Sequence, residues 1–380
     1  MAKRNPGYLD YNATAPVRPE VVSAVTSVLG SSGNPSSVHS DGRDARARIE
    51  SARENIARLV GAASGTVIFT SGGTEANNLA LRGSAIQGRH LVVSAVEHDS
   101  VLNISRSVPD RSSLIPVNRD GILDLETLSD ELGHLPDRAM VSVMLANNET
   151  GIIQPIAKIA EIAKAHGAII HCDGVQGPGK ISVDLSELGA DMMTFSAHKF
   201  GGPQGVGALV IREGAELPGA LVSGGGQERG QRAGTENVPG IVGFGAAAAG
   251  VISDSAEMGR IAALRDKLET EVCALEANAF VIGMNAPRLP NTSCIVMPGV
   301  SAETQVMSLD LAGVRVSAGA ACSSGKVSSS HVLEAMGLPE NQSGSAIRVS
   351  LGWASQAEDV ECFVEAWQAL YRRLGNRSAA

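Results

Sequence analysis

No stretch of this chain is apolar for long enough to span a bilayer, and its opening residues, MAKRNPGYLD, carry two basic side chains with no apolar run behind them. Neither a membrane span nor a secretory leader is expected. Basic charge is short as well: 31 Lys and Arg against 40 Asp and Glu leave a formal net charge of −9. Nothing supplies a basic face, which argues against general binding to nucleic acid or anionic membranes. Aromatics are scarce, at 3%, while Gly, Ala and Val abound, a balance that fits α/β folds better than β-sandwiches. A disulfide framework is missing too. Five cysteines, Cys172, Cys273, Cys294, Cys322 and Cys362, show no C-x-x-C pair and no Cys/His spacing that suits zinc, so no metal site is expected. Their odd number and wide scatter fit a reducing compartment, the cytoplasm.

What is present alternates. DARARIESARENIARLVG repeats apolar residues at Ala45, Ile49, Ala52, Ile56 and Leu59, the spacing of one helix face. Short apolar runs follow at 66–70, 91–96, 140–146, 168–172, 192–197 and 206–211, most of them continuous, as strands buried on both faces should be. Between two of these lies a helix, PIAKIAEIAKAHG, with Pro155 at its start and Gly167 at its end. Such repetition predicts a mainly parallel sheet with helices on both sides. After FGAAAAGV (244–251) the rhythm changes to a helix at about 256–277 and strands near 292–297, 314–317 and 346–350. At 380 residues the chain suits two domains. We expect a large one over 15–255 and a small one over 256–380 together with 1–14.

Ligands of open α/β sheets bind beyond the carboxyl ends of the strands, and polar residues collect there. In SGGTEANN (71–78), Gly72 and Gly73 permit a tight turn and Thr74 opens a helix whose free N–H groups suit a phosphate. The loop is neither G-x-G-x-x-G nor a Walker motif, so a dinucleotide or triphosphate is not its natural guest. Asp173 leaves the strand AIIHC, with Gln176 three residues on. As a lone carboxylate it suits a metal, a general base or a protonated ring nitrogen, and no ligand spacing favours the metal. FSAHKFGGPQGVG sets Ser196, His198 and Lys199 between a strand end and glycines. Most lysines are solvated surface charges; this one can reach inwards.

One cofactor uses all of these parts. Pyridoxal phosphate needs a lysine for its Schiff base, an acid facing the pyridine nitrogen and a phosphate cradle. Lys199 and Asp173 supply the first two, and Thr74, Ser196 and His198 the third. His98, at the end of the strand LVVSAVEH, is placed to lie over the ring. Asn148, in ANNETG, suits a hydrogen bond to the ring hydroxyl or the substrate.

These stretches, with YLDYNATAP (8–16), GNPSSVHSDG (33–42), GGGQERGQRAGTEN (224–237) and GAACSSGK (319–326), resemble the cysteine desulfurases of the NifS/IscS type. Those are fold-type I pyridoxal-phosphate enzymes in the class V aminotransferase family, and the likeness runs in order along nearly the whole chain. It implies that Lys199 carries the cofactor and that Asp173 and Gln176 contact its ring and hydroxyl. Thr74, Ser196 and His198 would bind its phosphate. Thr235, in RAGTEN, would reach the phosphate of a neighbouring subunit, so a homodimer is expected. Arg348 matches the arginine that clamps the substrate carboxylate, a task suited to its two-pronged guanidinium. Gln204 and Trp353 depart from the commonest pattern and bear on the subtype alone.

The resemblance also explains why Cys322 sits among glycines, alanines and serines. In the implied reaction L-cysteine becomes L-alanine, Lys199 takes the Cα proton, and Cys322 attacks the substrate sulfur as thiolate and keeps it as a persulfide. A thiol of pKa roughly 8.5 is only a few per cent ionised at neutral pH, so His98 is the expected base. A segment of small residues has few contacts to break when it swings toward an acceptor. For the family that acceptor is an iron–sulfur scaffold protein, with a transient iron–sulfur contact at Cys322 a further option. A transaminase or selenocysteine lyase would share Lys199 and Asp173 without needing Cys322. A non-catalytic interaction protein would need none of them. The remaining four cysteines lie in apolar or helical surroundings and are expected to be structural.

Overall fold

The computed structural model describes residues 7–135, 138–253, 257–275, 278–319 and 330–374. The first sheet comprises β1 (Val67–Thr70), β2 (His90–Ser94), β3 (Ser112–Ile115), β4 (Ala139–Met144), β5 (Ile169–Asp173), β6 (Met192–Ser196) and β7 (Gly207–Ile211). Their order is β1-β7-β6-β5-β4-β2-β3, and all pairs are parallel except those of β7 with β1 and β6. Six of the seven strands fall on the apolar runs. The seventh, β3, was not anticipated: it is an edge strand of sequence SSLI with only Ile115 buried, so no apolar run marks it.

Two-residue alternation sorts the runs. Val141 and Val143 of β4, Ile170 and Cys172 of β5, and Met193 and Phe195 of β6 enter one core with Ile56, Ile159 and Phe244 of the covering helices. The alternate residues turn to the opposite face, where Met140, Ile169 and Met192 pack against Ala76, Leu79 and Ala80 of the helix Gly73–Ile86. Ser142, His171, Asp173, Thr194 and Ser196 continue that second face toward the carboxyl ends of their strands. His171 is fully buried and is held by Ser142 Oγ at Nδ1 (2.9 Å) and Thr194 Oγ1 at Nε2 (3.0 Å). Burial pushes its pKa down to about 4, so it is neutral.

The second sheet, β8 (Phe280–Val281), β9 (Thr292–Val296), β10 (Ser317–Ala318) and β11 (Ala346–Ser350), is antiparallel throughout in the order β10-β11-β9-β8. The two-residue β8 was not anticipated. Helices Glu257–Leu275 and Ala357–Leu374 cover the sheet, burying Ile261, Leu268, Val272, Phe363 and Trp367 against Ile347 and Val349. The amino-terminal segment joins this layer: Tyr8 bridges Arg315, Asp10 bridges Ser350, and Leu9 is buried between them. Gly7, at φ +75°, permits the approach, since a Cβ there would lie 2.5 Å from the Gly313 carbonyl oxygen.

Cys172 and Cys294 are buried and Cys273 packs partly buried on the second core. Cys362 departs from its expected structural role. It is exposed, on the face of its helix away from Val360, Phe363 and Trp367. Cys322 lies outside the described residues. Among the described residues no single helix is long and apolar enough to cross a membrane.

Candidate active site

A cavity of about 390 Å³ opens at the carboxyl ends of β4, β5 and β6. Gly73, Thr74, His98, Asn148, Asp173, Gln176, Ser196, His198 and Lys199 line it from the side of the first sheet, and Ser317 and Arg348 from the side of the second. Thus residues spread over most of the chain meet in one space because the β-strands end together and the amino-terminal segment draws the second sheet across them.

Asp173 is 6% exposed. Its Oδ1 accepts the Val175 N–H at 3.0 Å and its Oδ2 accepts Asn77 Nδ2 at 2.8 Å, so both oxygens are held as acceptors. Lys199 ends the short turn after β6, and its amine donates to the main-chain oxygens of Asn12 (2.8 Å) and Ala13 (2.9 Å). The helix Gly73–Ile86 starts at the cavity with no side-chain cap, so Thr74 does not cap it. Gly73 keeps the wall low: a Cβ there would stand 3.0 Å from Val175 Cγ2 and 3.5 Å from Ser196 Cβ. His198 Nδ1 meets Thr14 Oγ1 at 3.1 Å, and burial beside the Lys199 amine pushes its pKa down to about 4.

His98 caps the helix Asp99–Ser107 rather than ending a strand, since β2 stops at Ser94. Its Nδ1 accepts the Ser100 N–H at 3.1 Å, which assigns the proton of the neutral ring to Nε2. Burial lowers its pKa, with Asp173 opposing and Lys199 reinforcing that shift. His98 therefore meets the cavity as a neutral N–H donor, and a role as base requires that Nε2 first give up its proton.

Arg348, on β11, is 3% exposed and donates to Asp10 Oδ1 at 2.7 Å and to the Asn148 carbonyl oxygen at 3.1 Å. Its Nε is buried with no hydrogen-bond partner among the described residues. A guanidinium with unspent donors at a cavity wall suits a carboxylate ligand. Asn148 offers its main-chain oxygen to Arg348 and to Asn12 Nδ2 (3.2 Å). Thr235 is exposed and does not line this cavity. Its loop is tied to the cavity helix through Arg232, which pairs with Glu75 at 2.8 Å.

Sequence reasoning missed five residues. Asp10 and Asn12 stand in YLDYNATAP, and Asn77 in SGGTEANN, one turn on from Thr74. Glu97 and Glu149 are buried carboxyls. Glu97 Oε1 accepts the Met144 N–H, its Oε2 has no partner among the described residues, and burial with Asp173 nearby raises its pKa well above the ordinary carboxyl range. Glu149 accepts the Ser330 hydroxyl at 2.6 Å. Asx hydrogen bonding and buried carboxyls leave no periodic signal; only their adjacency to polar motifs marks them.

The donor set fits pyridoxal phosphate. A lysine amine, an acceptor-only carboxylate and an uncapped helix start with a glycine at its edge surround one cavity, and Arg348 lines the same space. Among the described residues no cluster of His, Cys, Asp and Glu is arranged to hold a metal ion.

Comparison with known proteins agrees. The aminotransferase class-V family matches residues 7–363. The cysteine desulfurase IscS of Dictyoglomus turgidum is 41% identical over 376 residues, covering 97% of this chain and 95% of its own. A cysteine desulfurase of Cereibacter sphaeroides is 44% identical over 361 residues, 92% of each chain. The X-ray structure of a NifS-like protein from Rickettsia africae superposes with a TM-score of 0.90 at 37% identity, over 97% of this chain and 99% of that one.

Proposed function

The chain belongs to the class-V aminotransferase family, and from that membership we infer that it is a pyridoxal-phosphate-dependent cysteine desulfurase, forming L-alanine from L-cysteine. The observation that supports this reading most is the meeting of Lys199, Asp173 and Arg348 around one cavity, with the Arg348 Nε buried and unspent.

When bound, the cofactor supplies an electron sink for the bond changes at the substrate Cα and Cβ. Thr74, Ser196 and His198 hold its phosphate, with the free N–H groups at the helix start. Asp173, its oxygens oriented by Asn77 and Val175, keeps a proton on the ring nitrogen. Gln176 and Asn148 bind at the ring hydroxyl and the substrate. Arg348 fixes the substrate carboxylate, and Lys199 accepts the Cα proton. His98 donates from Nε2, then receives a thiol proton. Cys322 attacks the substrate sulfur: an S–S bond forms as the Cβ–S bond breaks. Cysteine and one enzyme thiol thus become alanine and one enzyme persulfide, with no external oxidant.

Several finer points belong to the same proposal. The protein is a homodimer in which Thr235 reaches the partner's phosphate site, which its exposure in one chain supports. The persulfide passes to an iron–sulfur scaffold protein, a reading supported by the IscS names among the relatives. The scattered cysteines support a cytoplasmic location. The two sheets, each with its own core, support division into two domains near residue 255.

Peptide mass spectrometry of the yellow protein after L-cysteine, without reductant and with alanine assayed in parallel, tests the reading. One extra sulfur on the Cys322 peptide with alanine formed is expected, and Cys322→Ala should lose both. Product formation that survives Cys322→Ala would favour the transaminase or lyase, and a colourless protein unchanged by added cofactor would favour an interaction protein.

A further inference from the structure

One cation beside the cavity has no part in the reaction above. Lys180 is 6% exposed, and its ammonium donates to Asn12 Oδ1 at 2.9 Å and to Gln176 Oε1. Among the described residues no carboxylate pairs with it. The charged groups that act on it are Lys199 and Arg348, both cations, and Arg18 and Glu257 line a second cavity on which Lys180 also borders. Burial, reinforced by those two cations, pushes its pKa well down. Keeping an ammonium buried without a counter-ion is costly, so its position needs a local reason.

The reason lies in the two amides. In both contacts the Lys180 amine donates, so it takes the oxygen end of each amide and decides which way round each sits. Gln176 Nε2 is thereby turned to the Asn12 main-chain oxygen (3.1 Å), and Asn12 Nδ2 to Thr292 Oγ1 (2.9 Å). That same Asn12 oxygen holds the Lys199 amine. Asn12 Oδ1 has a second donor in Asn291 Nδ2 (3.1 Å), whereas Lys180 is the one donor to Gln176 Oε1 among the described residues. Gln176 lines the cavity and Lys180 stands one turn beyond it.

We propose that Lys180 is a positioning residue for the cofactor-binding lysine: by donating to the amide oxygens of Gln176 and Asn12 it fixes which way round both amides sit and leaves a Gln176 N–H for the cavity. This rests on the cofactor reading given above. Lys199 shares the cavity with His98 and His198, both with lowered pKa values, and with Asp10, Asp173 and Arg348, all of which stay in place when Lys180 is replaced.

A hydrogen bond from Gln176 at the ring hydroxyl favours the lysine–cofactor linkage without its proton, so losing Lys180 should raise the pH at which the visible band titrates. In an absorbance titration of the holoenzyme, Lys180→Met is expected to raise the midpoint by about one unit. Lys180→Arg, which keeps the donors, should stay near wild type. A merely structural brace would change melting behaviour and leave the midpoint alone. A Lys180→Met midpoint equal to wild type overturns the proposal. Should that variant not fold, Lys180→Gln decides: its amide can accept as well as donate and so no longer fixes the Gln176 amide, a rise of about half a unit supports the proposal, and no rise overturns it. A protein with no cofactor band at all would defeat the functional reading, whereas a band that titrates identically in all variants would defeat this inference alone.

Discussion

Replacing Glu149 by Gln should stabilise the protein in alkali and do little in acid. Glu149 is 4% exposed; its Oε2 accepts the Ser330 hydroxyl, and a Cβ on Gly319 would come within 2.8 Å of the same oxygen. Burial pushes its pKa up from 4.5 to about 7, Ser330 and Arg348 partly opposing and Asp99 adding to the rise. A carboxyl that binds its proton more tightly when folded contributes stability that is full below its unfolded pKa. That contribution falls as pH rises from about 4.5 and levels off above about 7. The loss approaches about 3 kcal/mol at pH 8 and stays under about 1 kcal/mol at pH 5. Glutamine keeps an oxygen for Ser330 and never ionises, so it escapes the alkaline penalty. With an unfolding entropy of about 2.1 cal/mol/K per residue over 380 residues, 3 kcal/mol corresponds to about 4 °C. Thermal scans of wild type and Glu149→Gln holoenzyme at fixed rate should differ by about 4 °C at pH 8 and about 1 °C at pH 5. Equal differences at the two pH values would refute a titrating, desolvated carboxyl. A Glu149→Gln protein less stable than wild type at pH 8 would show instead that the charged Ser330 contact outweighs burial.

Other perturbations probe the cavity directly. Arg348→Lys loses the two-pronged guanidinium and the Asn148 contact, so kcat/KM for L-cysteine should fall about 100-fold, mostly through KM. An unchanged KM in steady-state alanine assays would remove Arg348 from substrate binding. Asn77→Ala takes one of two donors from Asp173 and should lower kcat by about tenfold while the visible band persists; wild-type kcat would mean that Asp173 needs no orienting partner.

Much of the architecture was legible along the chain. The continuous apolar runs marked six strands of the first sheet because strands covered on both faces carry few polar residues. The helices carried their own period, and Lys199, Asp173 and Thr74 stood out as polar residues at strand exits. Edge strands with little burial, such as β3, and the two-residue β8 carry no such mark. Neither does Asp10, whose contact with Arg348 joins residues at opposite ends of the sequence.

Local sequence therefore determined which segments are strands and helices, since periodicity and propensity act over a few residues. It also determined which residue types arrive at the strand ends. Only the tertiary structure decided their partners. It turned His171 and Asp173 away from the core that takes Cys172, laid His98 down as an N–H donor, and drew Asp10 and Arg348 across the cavity. It also enclosed Lys180 among amides, with no carboxylate paired to it among the described residues. Pairing, protonation and burial depend on what lies within a few ångströms in space, and for these residues the neighbours are mostly far away in the chain.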